Sequence, residues 1–383
     1  MLTAEGCLKR RERLWRSLAD KPDWILLSEP QHLIYFANFA TSPYTYASQN
    51  ASAVLLLGAD GSSILVADNL QGEFAEKAFV DRVEVPVWYN GRGTAPYRTA
   101  LLTEAALNVL KTCEGSRFGY EPATHAAVLE GLRAQRSGIE TFDISPTIHA
   151  IKRSKDPDEV AILKRCMRSA EAGFSAAIQS LKPGMTELQA YELIASAVME
   201  EAQDRVIVYG DFATGHRAFA GGGGPTQRVI EKDDFVLLDF SVIINGYRGD
   251  FANTFVVDGG RANTRQREMA SVCLEGMAVG EKHLRAGVKC NELDATIRNV
   301  YKQHGVWEYF QHHAGHGLGL GHPDAPYIVP ESADTLVAGD VITLEPGMYI
   351  PNVGGMRFER NYLITEEGYE CLTRHYLGLE PPR

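Results

Sequence analysis

The sequence predicts an α+β protein that is divided into a smaller α/β domain over residues 1–150 and a larger domain over residues 151–383. Short strand-like segments such as Trp24–Leu27 occur in the first part. A long amphipathic helix begins at Pro157, and two hairpin-like segments that carry acidic residues lie further along the chain. Strands, long helices and antiparallel hairpins in this order are typical of an α+β arrangement.

The composition excludes several classes of protein. With 383 residues, of which 45% are hydrophobic and 23% charged, the chain has the balance of a globular protein with a substantial core. Its net charge of −11 argues against nucleic-acid binding, which needs a basic surface. No uncharged apolar run reaches the roughly eighteen residues of a membrane span. The six cysteines form no C-x-x-C pair, and the charged N-terminus lacks the apolar segment of a signal peptide, so we expect a cytoplasmic protein.

The first domain is predicted from its strand and helix patterns. Ser63–Val66 is expected to pair with Ala53–Leu57 across the turn at Asp60-Gly61. Residues Glu121–Arg136 have the pattern of a helix. Two polar, aromatic loops of this domain are candidates for closing a pocket, although surface packing explains any one of their aromatic residues equally well: Tyr44, Tyr46, Trp88 and Tyr89.

The second domain begins at the long helix and contains a weak internal repeat. Asp156 is a suitable N-cap for a helix with Pro157 at its first position, which places the boundary near Ile151. Each half has a long helix, a Leu-x-x-Gly break, another helix and then strands. The breaks are Leu181–Gly184 and Leu284–Gly287, so we expect two similar halves.

The first hairpin places two aspartates close together. Two β-rich runs flank Asn245-Gly246, the strongest short signal for a hairpin turn. With that turn, Ser241 pairs with Asp250, and Asp239 becomes the diagonal neighbour of Asp250 on the same face, about 7–8 Å away at the backbone. Asp239 interrupts an apolar run, so it requires either a metal ion or a partner such as Arg248.

The second hairpin repeats this placement of two acids in β-rich runs. Glu345 follows the apolar run Val341–Leu344, and Glu359 lies inside the run MRFERNYLI. Taken alone, Glu359 could pair with Arg357 or Arg360. The repetition of the first hairpin's arrangement favours a shared role for all four carboxylates.

A histidine-rich and glycine-rich segment at residues 312–327 completes a metal-binding pattern. Four carboxylates cannot share a buried pocket as anions without cations, because their repulsion would protonate some of them. Two divalent ions bridged by carboxylates resolve this conflict. With His316 as a nitrogen ligand, the donor set suits Mn, Co, Fe or Zn. The segment contains four histidines: His312, His313, His316 and His322.

These residues resemble the pita-bread metallohydrolases, a family that includes methionine aminopeptidase, aminopeptidase P, prolidase and creatinase. The family's metal ligands follow the order Asp, Asp, His, Glu, Glu, which matches Asp239, Asp250, His316 in GHGLG, Glu345 in LEPGMY and Glu359 in RFE. The eleven-residue step between the aspartates also agrees. The resemblance covers residues 151–383, and the segment DWILLSEPQHLIYFANF extends it to the N-terminal domain of aminopeptidase P, prolidase and creatinase.

The resemblance implies a fold, an activity and an assembly. It implies a pita-bread fold with a pseudo-twofold repeat, preceded by a creatinase-type domain that helps to form a homodimer and covers the neighbouring site. It implies that two divalent metal ions support hydrolysis of a C–N amide bond in a small peptide, as in an Xaa-Pro aminopeptidase or dipeptidase. Glu345 would be both ligand and proton acceptor, while Arg357 would orient Glu359 or bind a substrate carboxylate. His312 and His313 are expected just outside the site.

The chain departs from the family pattern at two histidine positions. The second histidine of the usual H-E-x-P sequence is replaced by Pro323, and His322 comes one residue early, so it is either a catalytic group or a residue of a surface loop. Glycines 221–224 stand where a histidine is usual before the P-T-x-R segment. His216 is the nearest candidate proton shuttle, with a loop residue as the alternative, and the glycines are a candidate lid or a place where the substrate approaches the backbone.

These departures leave two other functions open. One is a non-peptidase hydrolase or lyase that acts on a small metabolite, such as a guanidino, ectoine-like or sulfonium compound. The other is a metal-free binding protein, as creatinase shows that the fold does not require metal. The complete set of five ligands argues against the metal-free function.

Overall fold

The computed structural model describes residues 1–41, 52–122, 126–204, 206–219, 222–258 and 260–382. The chain divides into two compact units, Met1–Lys152 and Arg153–Arg383. Three residues of the sequence analysis, Tyr44, Tyr46 and Gly221, lie outside the described residues. None of the described helices has the length and apolar character needed to cross a membrane.

The first unit is a mixed sheet with helices. The strands lie in the order β4-β3-β2-β1-β5-β6, in which β1–β5, β5–β6 and β3–β4 are parallel and the other pairs antiparallel. The strands are β1 (Trp24–Leu27), β2 (Val54–Gly58), β3 (Ser63–Val66), β4 (Arg82–Glu84), β5 (Arg117–Tyr120) and β6 (Glu140–Asp143). The helices are α1 (Ala4–Ser17), α2 (Pro30–Ala37), α3 (Gly72–Ala75), α4 (Arg98–Leu110), α5 (Ala126–Gln135) and α6 (Ser145–Ile151).

The hairpin predicted in the first unit is confirmed, and one helix boundary differs. Leu57 pairs with Ser63 at the turn, as Asp60-Gly61 indicates. The helix predicted from Glu121 is described only from Ala126. Glu121 instead is buried beside β5, where its carboxylate accepts the backbone N–H groups of Ser28 and Glu29.

The second unit consists of two helix pairs and antiparallel sheets. Its helices are α7 (Pro157–Ser180), α8 (Glu187–Ala202), the short α9 (His216–Phe219), α10 (Thr264–Glu281) and α11 (Cys290–Gln303). The strands of the first half are β7 (Ile207–Thr214), β8 (Phe235–Ile244), β9 (Tyr247–Gly249) and β10 (Ala252–Val256). Those of the second half are β11 (Gly315–Gly317), β12 (Asp324–Ile328), β13 (Val341–Leu344), β14 (Gly347–Ile350), β15 (Gly354–Arg357), β16 (Arg360–Ile364) and β17 (Tyr369–Cys371).

The predicted start of α7 is confirmed, and α8 begins in the same way. Asp156 is the N-cap of α7, and its backbone N–H donates to the Glu159 carboxylate. Thr186 caps α8, where its hydroxyl accepts the Gln189 N–H and Gln189 reciprocates in a capping box. Because each box satisfies N–H groups that have no partner inside the helix, it fixes where the helix begins.

The first half's sheet has the register that the turn at Asn245-Gly246 predicts. In it β8 pairs with β7, β9 and β10, all antiparallel. Ile244 lies opposite Tyr247, and Asp239 lies opposite Ala252. The same register therefore runs through the hairpin, which makes Asp239 and Asp250 diagonal neighbours.

The second half's sheet has the order β12-β11-β13-β16-β17. Leu344 lies opposite Arg360, so the register continued by one residue places Glu345 opposite Glu359. The separate hairpin of β14 and β15 lies between these two acids in the sequence. A buried apolar cluster joins α10, α11 and β13 beneath this sheet, with Ile297 and Leu344 fully buried in it.

Candidate metal centre

Five predicted ligands come from strands or strand ends of both halves. Asp239 lies within β8, and Asp250 directly follows β9. His316 is the central residue of β11, Glu345 follows β13, and Glu359 lies between β15 and β16. Ligand atoms of Asp239, Asp250 and Glu359 lie within 4.8 Å of one another. The two halves therefore meet at one cluster of side chains.

His316 connects the two hairpins. Its Nε2 lies 3.5 Å from Asp250 Oδ2 and 3.3 Å from Glu345 Oε1. Its Nδ1 donates to the Gly317 carbonyl at 2.9 Å, which leaves Nε2 directed at the carboxylates. A second ring nitrogen held by a backbone carbonyl is the usual arrangement of a metal-binding histidine.

The charges of the cluster displace the pKa values of its members. Burial alone would lower the pKa of His316, but its hydrogen bonds to Asp250 and Glu345 raise it well above the usual range. Burial would raise the pKa of Asp250, but His316 and His322 hold it well below the usual range. Burial and the charges of Asp250 and Glu345 raise the pKa of Glu359 well above its usual range.

Glu359 supplies the clearest test of whether a cation fits. Its Oε1 accepts Thr343 Oγ1 at 2.6 Å and Asn361 Nδ2 at 3.0 Å. Its Oε2 is buried and has no hydrogen-bond partner among the described residues. A buried carboxylate oxygen without a partner, beside two other carboxylates, is unfavourable unless a cation binds there. The donor set therefore fits divalent ions held by Asp239, Asp250, His316, Glu345 and Glu359.

Arg357 lies where it orients a ligand. Its guanidinium donates to Asp239 Oδ2 in a short ion pair, and its Nε lies 3.9 Å from Glu345 Oε2. Of the two predicted roles, orienting a ligand agrees with this geometry, although the ligand contacted is Asp239 rather than Glu359. Its Nη1 is engaged by Asp239, but its Nε is buried without a hydrogen-bond partner among the described residues, so binding of a substrate carboxylate stays a prediction.

His322 lies beside the predicted ligands despite its early position in the sequence. Its Nε2 is 2.9 Å from Asp250 Oδ2, and its ring centroid is 4.9 Å from that of His316. The pairing of β11 with β12 is irregular between His316 and Gly317, and His322 lies just before β12. Its contact with Asp250 favours a role at the site over a position in a surface loop.

His313 is also at the site, contrary to the sequence-based expectation. Its Nε2 lies 3.1 Å from Glu345 Oε1, and it lines the same cavity as the ligands. His312 lies beside it: the two ring centroids are 5.6 Å apart, and ligand atoms of His312, His313 and Glu345 lie within 4.8 Å of one another. Burial lowers the pKa of His312 to about 4.

His216 is not brought to the cluster. It is exposed at the start of α9 and is not among the residues that line the cavity. At the neighbouring glycines, the backbone conformation and the close packing against another residue require the absence of a side chain. Gly222 and Gly223 have φ values of +115° and +123°, and a Cβ on Gly222 would lie 2.3 Å from Asp211 Oδ2. The described part of the glycine run therefore packs against Asp211 in the cavity wall.

The cavity has a volume of about 200 Å³ and includes residues that the sequence analysis did not select. Asp211 lies opposite Asp239, and Tyr209 opposite Ser241, so all four side chains share one face of the sheet. Arg248 is on the same face, two residues before Asp250. Side chains of β7 point alternately to the two faces of the sheet, so its pairing with β8 would have identified Asp211 as a residue of the cavity. The sequence contains no turn signal that fixes this pairing.

Comparisons with known proteins agree with this architecture. Residues 161–366 match the model of metallopeptidase family M24. The Xaa-Pro dipeptidase of Pyrococcus furiosus is 31% identical over 271 residues, which is 70% of this chain and 75% of the relative. An uncharacterized peptidase of Staphylococcus saprophyticus is 34% identical over 242 residues, 62% of this chain and 67% of the relative. The structure of an Xaa-Pro dipeptidase from Bacillus anthracis superposes with a TM-score of 0.81 at 25% identity and covers 99% of both chains.

The fold and the ligand cluster define a metal-dependent hydrolase. The chain belongs to metallopeptidase family M24, which covers more than half of its residues. The predicted pita-bread fold, preceded by a smaller N-terminal domain, is confirmed by the structural match over nearly the whole chain. The predicted enzyme class, a metal-dependent hydrolase, is confirmed by the family.

Proposed function

We propose that this protein is an Xaa-Pro peptidase that hydrolyses the amide bond before proline with two divalent metal ions. The observation that carries the proposal is the cluster of four carboxylates and His316 at the meeting point of the two hairpins, with ligand atoms of three acids within 4.8 Å. The Xaa-Pro dipeptidases of Pyrococcus furiosus and Bacillus anthracis support the choice of substrate.

The chemistry divides between the ions and the side chains. When bound, divalent ions polarise a carbonyl and lower the pKa of water to about 7. We assign the acceptance of the proton from the attacking water to Glu345, because it lies beside His316 and His313 in the cluster. Hydrogen bonds from these two histidines counteract its burial, lower its pKa to about 2 and keep it ionised. Asp239, held by Arg357, keeps a fixed orientation during this step.

Two histidines complete the proposed mechanism. His322 has its Nε2 at the edge of the cluster, where it can hydrogen-bond the oxygen of the scissile carbonyl as negative charge develops. His313 contacts Glu345 at 3.1 Å and is placed to pass the proton on to the leaving nitrogen. His216 stays a prediction for this last role, but its exposed position favours His313.

The alternative of a small-metabolite enzyme is less well supported. It depended on the absence of the H-E-x-P histidine, and His322 lies within hydrogen-bond distance of Asp250 in spite of that absence. Manganese as the metal, a homodimer and a cytoplasmic location stay predictions. Elemental analysis of the purified protein and light scattering in solution test the first two.

Hydrolysis of a small peptide panel tests the proposed function. Metal-stripped protein is supplied with Mn, Co or Zn and assayed on Ala-Pro, Gly-Pro, Arg-Pro-Pro and creatine. We expect metal-dependent release of the residue before proline and no reaction with creatine. Glu345→Gln is expected to abolish turnover, with Glu367→Gln as a control at an exposed position.

Two results would contradict the proposal. One is a failure to cleave any peptide by protein that elemental analysis finds loaded with two metals. The other is a Glu345→Gln variant that keeps its metal and nearly normal turnover.

A further inference from the structure

Arg298 on α11 holds the loop that leads into β11 and carries His313. Its guanidinium donates to the Phe310 carbonyl at 2.9 Å through Nη1 and to the His312 carbonyl at 2.6 Å through Nη2. Its Nε lies 3.0 and 2.8 Å from the two carboxylate oxygens of Asp294, one turn earlier on the same helix. Each of the three guanidinium nitrogens therefore has a partner, and one side chain fixes two backbone positions of the loop.

The orientation of the Arg298 guanidinium is itself fixed from two sides. Asp294 is buried, and the Arg298 side chain is only 21% exposed. The guanidinium carbon lies 4.4 Å from the centre of the Phe310 ring, which stacks on Tyr301 of the same helix at 4.6 Å. Because the group is planar and is held by a carboxylate and a ring, its hydrogen bonds to the loop have a fixed direction that a flexible ammonium group does not reproduce.

The backbone held by Arg298 leads directly to His313. His312 Nδ1 lies 2.8 Å from the His313 carbonyl, and the His312 ring packs so closely that a Cβ on Gly347 would lie 2.6 Å from its Nε2. The side chain of His313 is 37% exposed, and its Nε2 lies 3.1 Å from Glu345 Oε1. Because packing restrains a partly exposed side chain only weakly, the position of the His313 imidazole depends on the backbone that precedes it.

We infer that Arg298 is a positioning residue of the proposed reaction, which acts through the backbone of the loop to hold His313 beside Glu345. Arg298 is not among the residues that line the cavity, so it affects the reaction only through the loop. The inference rests on the proposed function, in which His313 passes a proton to the leaving nitrogen. A displacement of about 1 Å lowers the rate of such a step by up to about a hundredfold, so the group that prevents the displacement contributes to turnover.

Replacement of Arg298 by lysine is the main test. Arg298→Lys keeps a cation beside Asp294, so the buried ion pair and the fold should be preserved, but one ammonium nitrogen cannot bind Asp294 and both carbonyls in the same geometry. For the metal-loaded full chain with Ala-Pro, we expect kcat per loaded site to fall about tenfold, while KM and metal content stay at the wild-type values. Arg265→Lys, the same change in an exposed ion pair with Glu268, should leave kcat unchanged.

A double-mutant cycle separates positioning from a general structural role. In a His313→Asn background, the group that Arg298 positions is already absent, so Arg298→Lys should change kcat by less than about twofold. A merely structural effect would lower kcat by the same factor in both backgrounds. Urea unfolding of the four proteins of the cycle identifies any general loss of stability.

Crystal structures of the full-length wild type and of Arg298→Lys give a measurement that does not require activity. We expect His313 Nε2 to lie within hydrogen-bond distance of Glu345 in the wild type and to leave that distance in the variant.

The outcomes distinguish this inference from the proposed function. An unchanged kcat in Arg298→Lys, an equal fall in both backgrounds, a loss of bound metal, or a His313 that keeps its place in the variant would overturn the role of Arg298, even if Xaa-Pro bonds are cleaved. If the metal-loaded wild type cleaves no Xaa-Pro bond, the proposed function is rejected, and the two crystal structures alone decide whether Arg298 positions His313.

Discussion

The charges of the four carboxylates of the cluster, of which Asp239 is partly buried and the other three are buried, are compensated in different ways. Asp239 has the arginine Arg357, while Asp250 and Glu345 have histidines. Glu359 has only the neutral donors Thr343 and Asn361. Because neutral donors compensate a buried anion less than cations do, Glu359 is the member that depends most on a bound metal ion.

Replacing Glu359 should stabilise the metal-free protein. The pKa of Glu359 in the folded state lies above the ordinary glutamate value of 4.5, so above pH 4.5 the folded state holds a proton that the unfolded state has lost. Wild-type stability therefore falls as the pH rises through this window. Glu359→Gln removes the titration, so in EDTA its advantage over wild type in urea unfolding should be larger at pH 8 than at pH 5. If Glu359→Gln has no stability advantage, or one that does not depend on pH, the raised pKa of Glu359 is wrong. Glu367→Gln serves as the exposed control.

His322 allows a kinetic prediction at the same scale. If its imidazole stabilises charge on the scissile carbonyl, His322→Asn should lower kcat by about a hundredfold. KM and metal content should change little, because the residue is not one of the five proposed ligands. Steady-state kinetics with elemental analysis checks this, and His283→Asn on the surface is the control. Loss of metal with unchanged kcat in the remaining loaded fraction would make His322 a ligand instead.

At the scale of secondary-structure elements, local rules predicted one hairpin completely and the other only in part. The turn at Asn245-Gly246 fixes the register, and the register brings Asp239 and Asp250 together. Glu345 and Glu359 also face each other, but the hairpin of β14 and β15 intervenes, so no short turn in the sequence specifies their pairing. Their shared role was inferred from the repeated placement of two acids in β-rich runs, and the resemblance to a family then supplied the order of the ligands.

Other features depend on pairings between elements that are distant in sequence. Arg248 was considered only as a possible partner of Asp239, because its side-chain environment is set by Tyr209 on β7. His313 contacts Glu345 because the segment before β11 lies beside the end of β13, where the Glu345 N–H donates to the Ala314 carbonyl, a contact that residues 312–327 alone do not specify. A sequence pattern reveals which face a residue shares with its near neighbours, but not which strand covers it.

Gly222, in the glycine run that packs against the cavity wall, allows a prediction about stability and activity. At Gly222, the φ of +115° and the 2.3 Å that would separate a Cβ from Asp211 Oδ2 exclude a side chain. Gly222→Ala should lower the free energy of unfolding by about 1–3 kcal/mol and reduce kcat/KM. Gly224→Ala is a matched control, because a Cβ there meets nothing within 4 Å. Urea unfolding and kinetics of both variants check this, and equal behaviour of the two would show that the packing against Asp211 is unimportant.

At the scale of the whole second unit, the metal centre links the two halves of the repeat. Asp239 and Asp250 come from the first half, whereas His316, Glu345 and Glu359 come from the second. A ligand that binds both halves favours the state in which they are together. Metal binding should therefore stabilise the unit as a whole rather than one loop.

Metal addition tests this link directly. At a free metal concentration one hundred times the dissociation constant, binding to the folded state alone adds about 2.7 kcal/mol to the free energy of unfolding. We expect thermal melting to shift upward when metal is restored to EDTA-treated protein, and amide hydrogen exchange to slow in both β8 and β13. Asp250→Asn and Glu359→Gln, one from each half, should each remove the shift. Slower exchange in only one of these strands would mean that the ions are bound by one half, and the shared metal centre would then be wrong.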